Sequence, residues 1–247
     1  MRKRFFSKLA IVMSTALAVS GCFCPIDKAF VNAETIQDED DSYYDDSTDD
    51  SYDDSTDDSD NEETTGTKID DVKLSSSELQ AFVKESDSDE NGYISQSEAE
   101  KITYVSISKK ASQSDLTQII KLYPNISELM WNAGTLTKLT FPKNNIKRLN
   151  ITSKAASQLV ISGINQKLNN LSYTAQGSKK YAFNFAKGSA YKKVEDFNLM
   201  GKQINGVKLS NAEVGTLYVT DTSAKKIDAS SDKIINLWVQ NNKKLSS

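Results

Sequence analysis

From Ile126 onward the sequence repeats itself every ten residues, and this period constrains the fold more than any other feature. The segments "ISELMW", "LTKLTF", "IKRLNI" and "ASQLVI" begin at Ile126, Leu136, Ile146 and Ala156. After a two-residue slip "LNNLSY" begins at Leu168, and a second block runs "VEDFNL", "INGVKL", "VGTLYV", "AKKIDA" and "IINLWV" from Val194, Ile204, Val214, Ala224 and Ile234. Apolar residues recur at places 1, 4 and 6 of each unit. Places 4 and 6 lie on one side of an extended chain and place 5 on the other. The fourth-place ladder reads Leu129, Leu139, Leu149, Leu159, Leu171, Phe197, Val207, Leu217, Ile227 and Leu237. A single unit is too thin to bury its apolar edge, so neighbours must stack. The expected fold is a parallel β-solenoid with two units, about 20 residues, per coil.

Three segments interrupt or flank this pattern. "ITYVSI" at Ile102 reads as an opening unit, followed by a helix over residues 113–122. Residues 174–193, which include "AQGSKKYAFNFAKGSAYKK", lose the period and read either as an irregular coil, with Tyr181 and Phe183 at places 4 and 6, or as a loop. "NNKKLSS" at the end reads as the start of another unit at Leu245.

Ahead of the repeats stands "DSDENGYISQSE", residues 87–98. Oxygen ligands at positions 1, 3, 5, 7, 9 and 12 of a twelve-residue loop suit Ca²⁺, a hard cation that takes six to eight of them. Here these are Asp87, Asp89, Asn91, the backbone carbonyl of Tyr93, Ser95 and Glu98. Gly92 falls at the sharp turn of position 6 and Ile94 at the apolar position 8. The flanks, "SSSELQAFVKES" and "QSEAEKI", read as an entering and an exiting helix. The expected module is EF-hand-like, spanning 68–101, with one structural calcium site.

Charge divides the chain further. "MRKRFFSK" followed by "LAIVMSTALAV" has the form of a signal peptide, 1–33. Cleavage after Ala33 is the leading expectation, and lipoprotein processing at Cys22 in "VSGC" is the alternative. Either route places the mature protein outside the cytoplasm, with membrane attachment only if Cys22 is lipidated. Residues 34–67 form an acidic linker expected to be disordered, since 38–63 hold 15 acids and no base. Residues 102–247, the repeat region, hold 21 basic and eight acidic residues.

The inventory excludes several chemistries. Histidine is absent, and Cys22 and Cys24 are the only cysteines. Downstream of them there is no Ser-His-Asp triad, thiol nucleophile or imidazole–zinc site. Glu195 and Asp196 are adjacent on a strand and face opposite sides, which disfavours paired acid–base work. The expectation is a protein that is not an enzyme.

The units "LTKLTFPKNNIKRLNI" and "IINLWVQNNKKL", together with the calcium-loop preamble, resemble the leucine-rich-repeat surface proteins of Gram-positive bacteria, broadly internalin-like. Asn144 and Asn242 occupy that family's turn-asparagine place, whereas Lys154, Lys202 and Ala212 stand there in other units. The similarity covers about residues 69–247. It implies a secreted or surface-attached adhesion protein that binds a protein or glycan ligand at the cell surface. Outward place-5 residues include Met130, Val160, Tyr218 and Trp238. Tyr218 and Trp238, 20 residues apart, are the candidate ligand contacts. The alternative is a structural cell-envelope protein held to an anionic wall polymer by its basic repeats, through cations such as Lys138, Lys147, Arg148, Lys225 and Lys226. Nucleic acid is not an expected partner.

Overall fold

Apolar residues at alternate places favour strands, and the computed structural model, which describes residues 66–228 and 233–245, places a strand on nearly every unit. The signal peptide, Cys22 and the acidic linker through residue 65 lie outside the described residues. The chain begins with β1 (Thr67–Lys68), α1 (Ser77–Ser86), β2 (Tyr93–Ile94) and α2 (Gln96–Lys101). Next come β3 (Tyr104–Ser106), α3 (Gln113–Leu122), β4 (Glu128–Gly134), β5 (Lys138–Thr140), β6 (Arg148–Ser153) and β7 (Val160–Ser162). The remaining strands are β8 (Leu168–Ala175), β9 (Tyr181–Asn184), β10 (Lys193–Met200), β11 (Ile204–Lys208), β12 (Glu213–Thr220), β13 (Ile227–Asp228) and β14 (Lys233–Gln240), with two short 3-10 turns between β9 and β10.

The strands sort by alternate units. A seven-stranded parallel sheet has the order β14-β12-β10-β8-β6-β4-β3. The intervening strands form two smaller parallel sheets, β13-β11-β9 and β5-β7. Every connection within the large sheet therefore passes through a strand or helix outside it. The fold is mostly parallel β with few helices. In the large sheet Val105, Leu129, Leu149, Leu171, Phe197, Leu217 and Leu237 stand in register. All but Leu237 are fully buried. Leu139 faces Ile161 in one small sheet, and Phe183, Val207 and Ile227 align in the other.

Two places depart from the expected ladder. The residue opposite Leu139 is Ile161, not Leu159, so the slip falls inside the "ASQLVI" unit. Leu159 is still buried, but its backbone leaves the strand pattern: its N–H donates to the Tyr173 hydroxyl (3.1 Å) and its carbonyl accepts from Tyr191 (2.5 Å). Beside it the Gln158 side chain imitates a strand edge, donating to the Asn184 carbonyl and accepting from the Asn184 N–H.

The aperiodic 174–193 stretch contains β9, and Phe183 sits at the fourth place opposite Val207 instead of the sixth. Phe183, Phe185, Tyr191, Tyr173 and Phe197 form one buried aromatic block, with ring centroids mostly 4.9–6.4 Å apart and edge-on. Bulky rings fill space that aliphatic side chains fill elsewhere, so this region tolerates longer connections than ten residues.

The N-terminal module belongs to the same core. Leu74, Leu79, Val83 and Ile94 lie in one hydrophobic cluster with the sheet residues, and Phe82 packs edge-on against Tyr123 at 5.6 Å. Thr67, assigned to the linker by its sequence, pairs with Ile94 across the β1–β2 ladder. Asp115 joins the parts. Buried on α3, it caps its own helix through Ser112 and accepts hydrogen bonds from the Ser75 N–H and hydroxyl, each 2.6 Å.

Candidate calcium loop and outward sheet face

The loop between α1 and α2 is shaped by its own hydrogen bonds. The Asp87 carboxylate at its start accepts from the N–H groups of Asn91 (3.1 Å) and Gly92 (2.8 Å), which folds the chain over it. Gly92 adopts φ 85°, a region that a Cβ makes costly, and nothing crowds it. β2 then ties the loop to β1, and Ile94 is buried beneath it. At the far end Ser95 and Glu98 form a reciprocal capping box that starts α2.

This arrangement brings the carboxylates of Asp87, Asp89 and Glu98 together, with one oxygen of each within 4.8 Å of the others. Ser95 Oγ lies 2.8 Å from Glu98 Oε2. Asn91 is turned differently: its Oδ1 accepts from the Tyr93 N–H at 2.8 Å, and its amide donates to Asp89 at 3.0 Å. Tyr93 stands on β2 opposite Lys68. Three carboxylates with amide and hydroxyl oxygens beside them form a hard-oxygen donor set, which suits Ca²⁺ or Mg²⁺ and not a thiophilic metal.

The electrostatics fit a cation as well. Burial raises the Glu98 carboxyl, but hydrogen bonds from Ser95 and Ser88 outweigh it and hold the group down at about 2. Glu98 therefore stays charged. Each of its oxygens accepts two hydrogen bonds, one from a backbone N–H and one from a serine hydroxyl. For Asp89 the Asn91 N–H pulls the carboxyl down, while desolvation, the contact with Asp87 and the charges of Glu98 and Asp87 together push it up. Crowded carboxylates repel one another, and a divalent cation removes that repulsion.

The second candidate lies on the outward side of the seven-stranded sheet. Its middle column runs Ser106, Met130, Asn150, Ser172, Asn198, Tyr218 and Trp238, one residue per strand and none charged. Tyr218 and Trp238 are direct cross-strand partners on β12 and β14. Trp238 is 63% exposed and Tyr218 half-buried. A shallow depression of about 290 Å³ on the same face is lined by Met130, Asn150, Thr152, Ser172 and Thr174, among others. Val160 stands apart on β7, opposite Lys138.

Sequence reasoning did not single out Asp115 or Gln158. Asp115 carried one local signal, the Ser112–Asp115 spacing of a capping box. Its partner Ser75 is 40 residues away and gives none. Glu195 pairs with Lys167, and Asp196 lies on β10 opposite Asn170 and Thr216. The asparagines of the turn place hold backbone: Asn144 donates to the carbonyls of Pro142 and Gly163, and Asn242 to those of Val219 and Gln240. Among the described residues no helix is long and apolar enough to cross a membrane. Comparison with protein-family models, with curated proteins and with solved structures returns no match.

Proposed function

We propose that the chain is a secreted or surface-attached binding protein, a leucine-rich-repeat-like β-solenoid of the Gram-positive surface kind. Its outward sheet face takes a protein or glycan ligand, and one Ca²⁺ acts as a structural staple at its N-terminal module. The single observation that carries the binding role is the uncharged column ending in the register-paired Tyr218 and Trp238. Aromatic side chains held on a sheet lose little entropy on binding and bury large areas, the usual property of binding anchors. The alternate placement of units in large and small sheets supports the two-unit coil.

In the staple, Asp87, Asp89 and Glu98 supply the negative charge, with Asn91, the Tyr93 carbonyl and Ser95 as neutral oxygen ligands. A bound cation would draw on the Glu98 lone pairs now facing the Ser88 and Ser95 hydroxyls. Those hydroxyls rotate freely, while the two backbone donors stay in place. The cation's contribution is to neutralise the crowded carboxylates and fix α1 against α2. No catalytic step is assigned.

Capture tests the ligand face. Labelled protein is incubated with intact bacterial cells and with host-cell material, then washed in high salt. The expected result is retention by the native chain and a loss of about tenfold or more in the Tyr218→Ala/Trp238→Ala variant, with melting temperature unchanged. Equal retention by both would remove the aromatic face from the proposal.

A further inference from the structure

The charged residues of the repeat region are not spread evenly around it. Among the described residues the ion pairs Arg148–Glu128 (3.6 Å), Lys167–Glu195 and Lys233–Glu213 (3.6 Å) all lie at the starts of strands in the seven-stranded sheet. In these three pairs the cation has a carboxylate of the neighbouring strand beside it, while Lys147, Lys192 and Lys193 at the same ends are exposed. Most of the turns that leave the strands of this sheet are composed differently, although the one after β12 carries the exposed Asp221. Those following β3, β6, β8 and β10 carry Lys109, Lys110, Lys154, Lys179, Lys180 and Lys202, all exposed, and no acid. Among the described residues, the carboxylate that reaches them is Glu78, which accepts from the Ser108 and Lys109 N–H groups at the β3 end.

Backbone contacts put these turns side by side. The Ala111 N–H donates to the Asn132 carbonyl, the Lys154 N–H to Gly134 and the Gln176 N–H to Ser153. The stem of Lys110 lies across Gly134, where a Cβ would sit 2.7 Å from the lysine Cγ. That glycine holds φ 53° and leaves a track for the stem, and Lys110 is exposed. Strands in a sheet lie about 4.8 Å apart. Lys110, Lys154 and Lys202 follow β3, β6 and β10, each two strands from the next, which spaces their turns by about 10 Å. Lys179 and Lys180 fill the interval after β8.

We infer that this strand-end edge binds a linear polyanion, a chain of repeated single negative charges that runs along the stacked turns. The site is separate from the aromatic sheet face and does not depend on it. Lysines act as point charges on flexible stems, which suits a flexible polymer recognised by charge, whereas planar bidentate recognition calls for arginine. The turns carry no aromatic residue on which a base would stack, so single-stranded nucleic acid lacks its usual platform there. Neutralising polymer charge releases counterions, so binding weakens steeply as salt rises. A phosphodiester or polyphosphate chain and a polycarboxylate share the required chemistry.

The full chain is titrated with long-chain inorganic polyphosphate, poly-glutamate, orthophosphate and oligo-thymidine at two salt concentrations. Three charge-reversed positions on the edge, Lys110→Glu/Lys154→Glu/Lys202→Glu, are compared with three exposed lysines elsewhere, Lys121→Glu/Lys143→Glu/Lys187→Glu. Both variants change net charge equally, and melting curves confirm that both fold. The expected result is salt-sensitive binding of polyphosphate, far tighter than orthophosphate. The edge variant should lose about tenfold or more in affinity and the control variant less than about threefold. Poly-glutamate binding at similar strength identifies charge alone as the determinant, while binding of polyphosphate only assigns the site to phosphate. Equal losses in the two variants, failure to bind either polymer, or tighter binding of oligo-thymidine than of polyphosphate would overturn the inference.

Discussion

Phe183→Ala is expected to lower the unfolding free energy by about 3–5 kcal/mol, the range for deleting a fully buried aromatic ring. Phe183 is inaccessible to solvent and meets four rings, Tyr173 and Tyr191 at 5.0 Å, Phe185 at 5.3 Å and Phe197 at 5.8 Å. Tyr173 and Phe197 belong to adjacent strands of the large sheet, whereas Phe183 is on β9 of the smaller one. The ring therefore links the two sheets where the ten-residue period is lost. Removing it leaves a cavity that β-sheet backbone on both sides cannot close. Urea unfolding monitored by tryptophan fluorescence reads the change. A loss below about 1 kcal/mol would mean that 174–193 is a peripheral loop and that the sheets are held together elsewhere.

Asp115→Ala carries the second large effect, about 2–4 kcal/mol, because the deleted carboxylate leaves several donors without a partner. It accepts from the N–H and hydroxyl of Ser75 and from the N–H and hydroxyl of Ser112, at 2.6–2.9 Å. The loss should fall on the docking of the N-terminal module, so native-state hydrogen exchange in α1 should rise more than in β8 or β10. Protonation reproduces part of the same loss. Burial raises the Asp115 carboxyl, but these hydrogen bonds outweigh it and leave it below its ordinary value. Its contribution is then complete above the unfolded value of about 4 and disappears as pH falls through the lower folded value. Native protein should show a flat melting temperature from pH 5 to 8, within the approximate plateau expected of paired carboxylates, and a fall below about pH 4 that is shallower in Asp115→Ala. Uniform exchange across the molecule would contradict a local docking role.

Period and composition made much of the fold legible. Ten-residue spacing with apolar fourth and sixth places predicts strands near the observed positions, and the helix expected over 113–122 is α3. The slip at Leu159 was hidden because Leu159 and Ile161 are both apolar and both buried. The choice between them rests on Tyr173, Tyr191 and Gln158, whose hydrogen bonds reach 14–32 residues along the chain. β9 was obscured for a related reason, since an aromatic block can close a longer connection. In the loop, ligand spacing is local and Asp87, Asp89 and Glu98 do converge. Asn91 instead accepts from the Tyr93 N–H, a choice that spacing alone does not encode. The uncharged column on the sheet face needed strand register, and so did the lysine edge. Both collect residues that are 20 or more positions apart.

The proposed calcium staple can be tested on stability alone, with no knowledge of the ligand. Melting temperature is measured for the native chain, Glu98→Gln and Asp89→Asn, in chelator and in Ca²⁺ at about tenfold over a dissociation constant of roughly 10⁻⁴–10⁻³ M, the range of extracellular calcium modules. Saturation to that degree is worth about 1.4 kcal/mol. For a domain of this size that corresponds to a rise of about 3–5 °C. The account predicts the rise in the native chain and its loss in both variants, including Asp89→Asn, which leaves the Ser95–Glu98 capping box intact. A native melting curve that is the same in chelator and in millimolar calcium would contradict it.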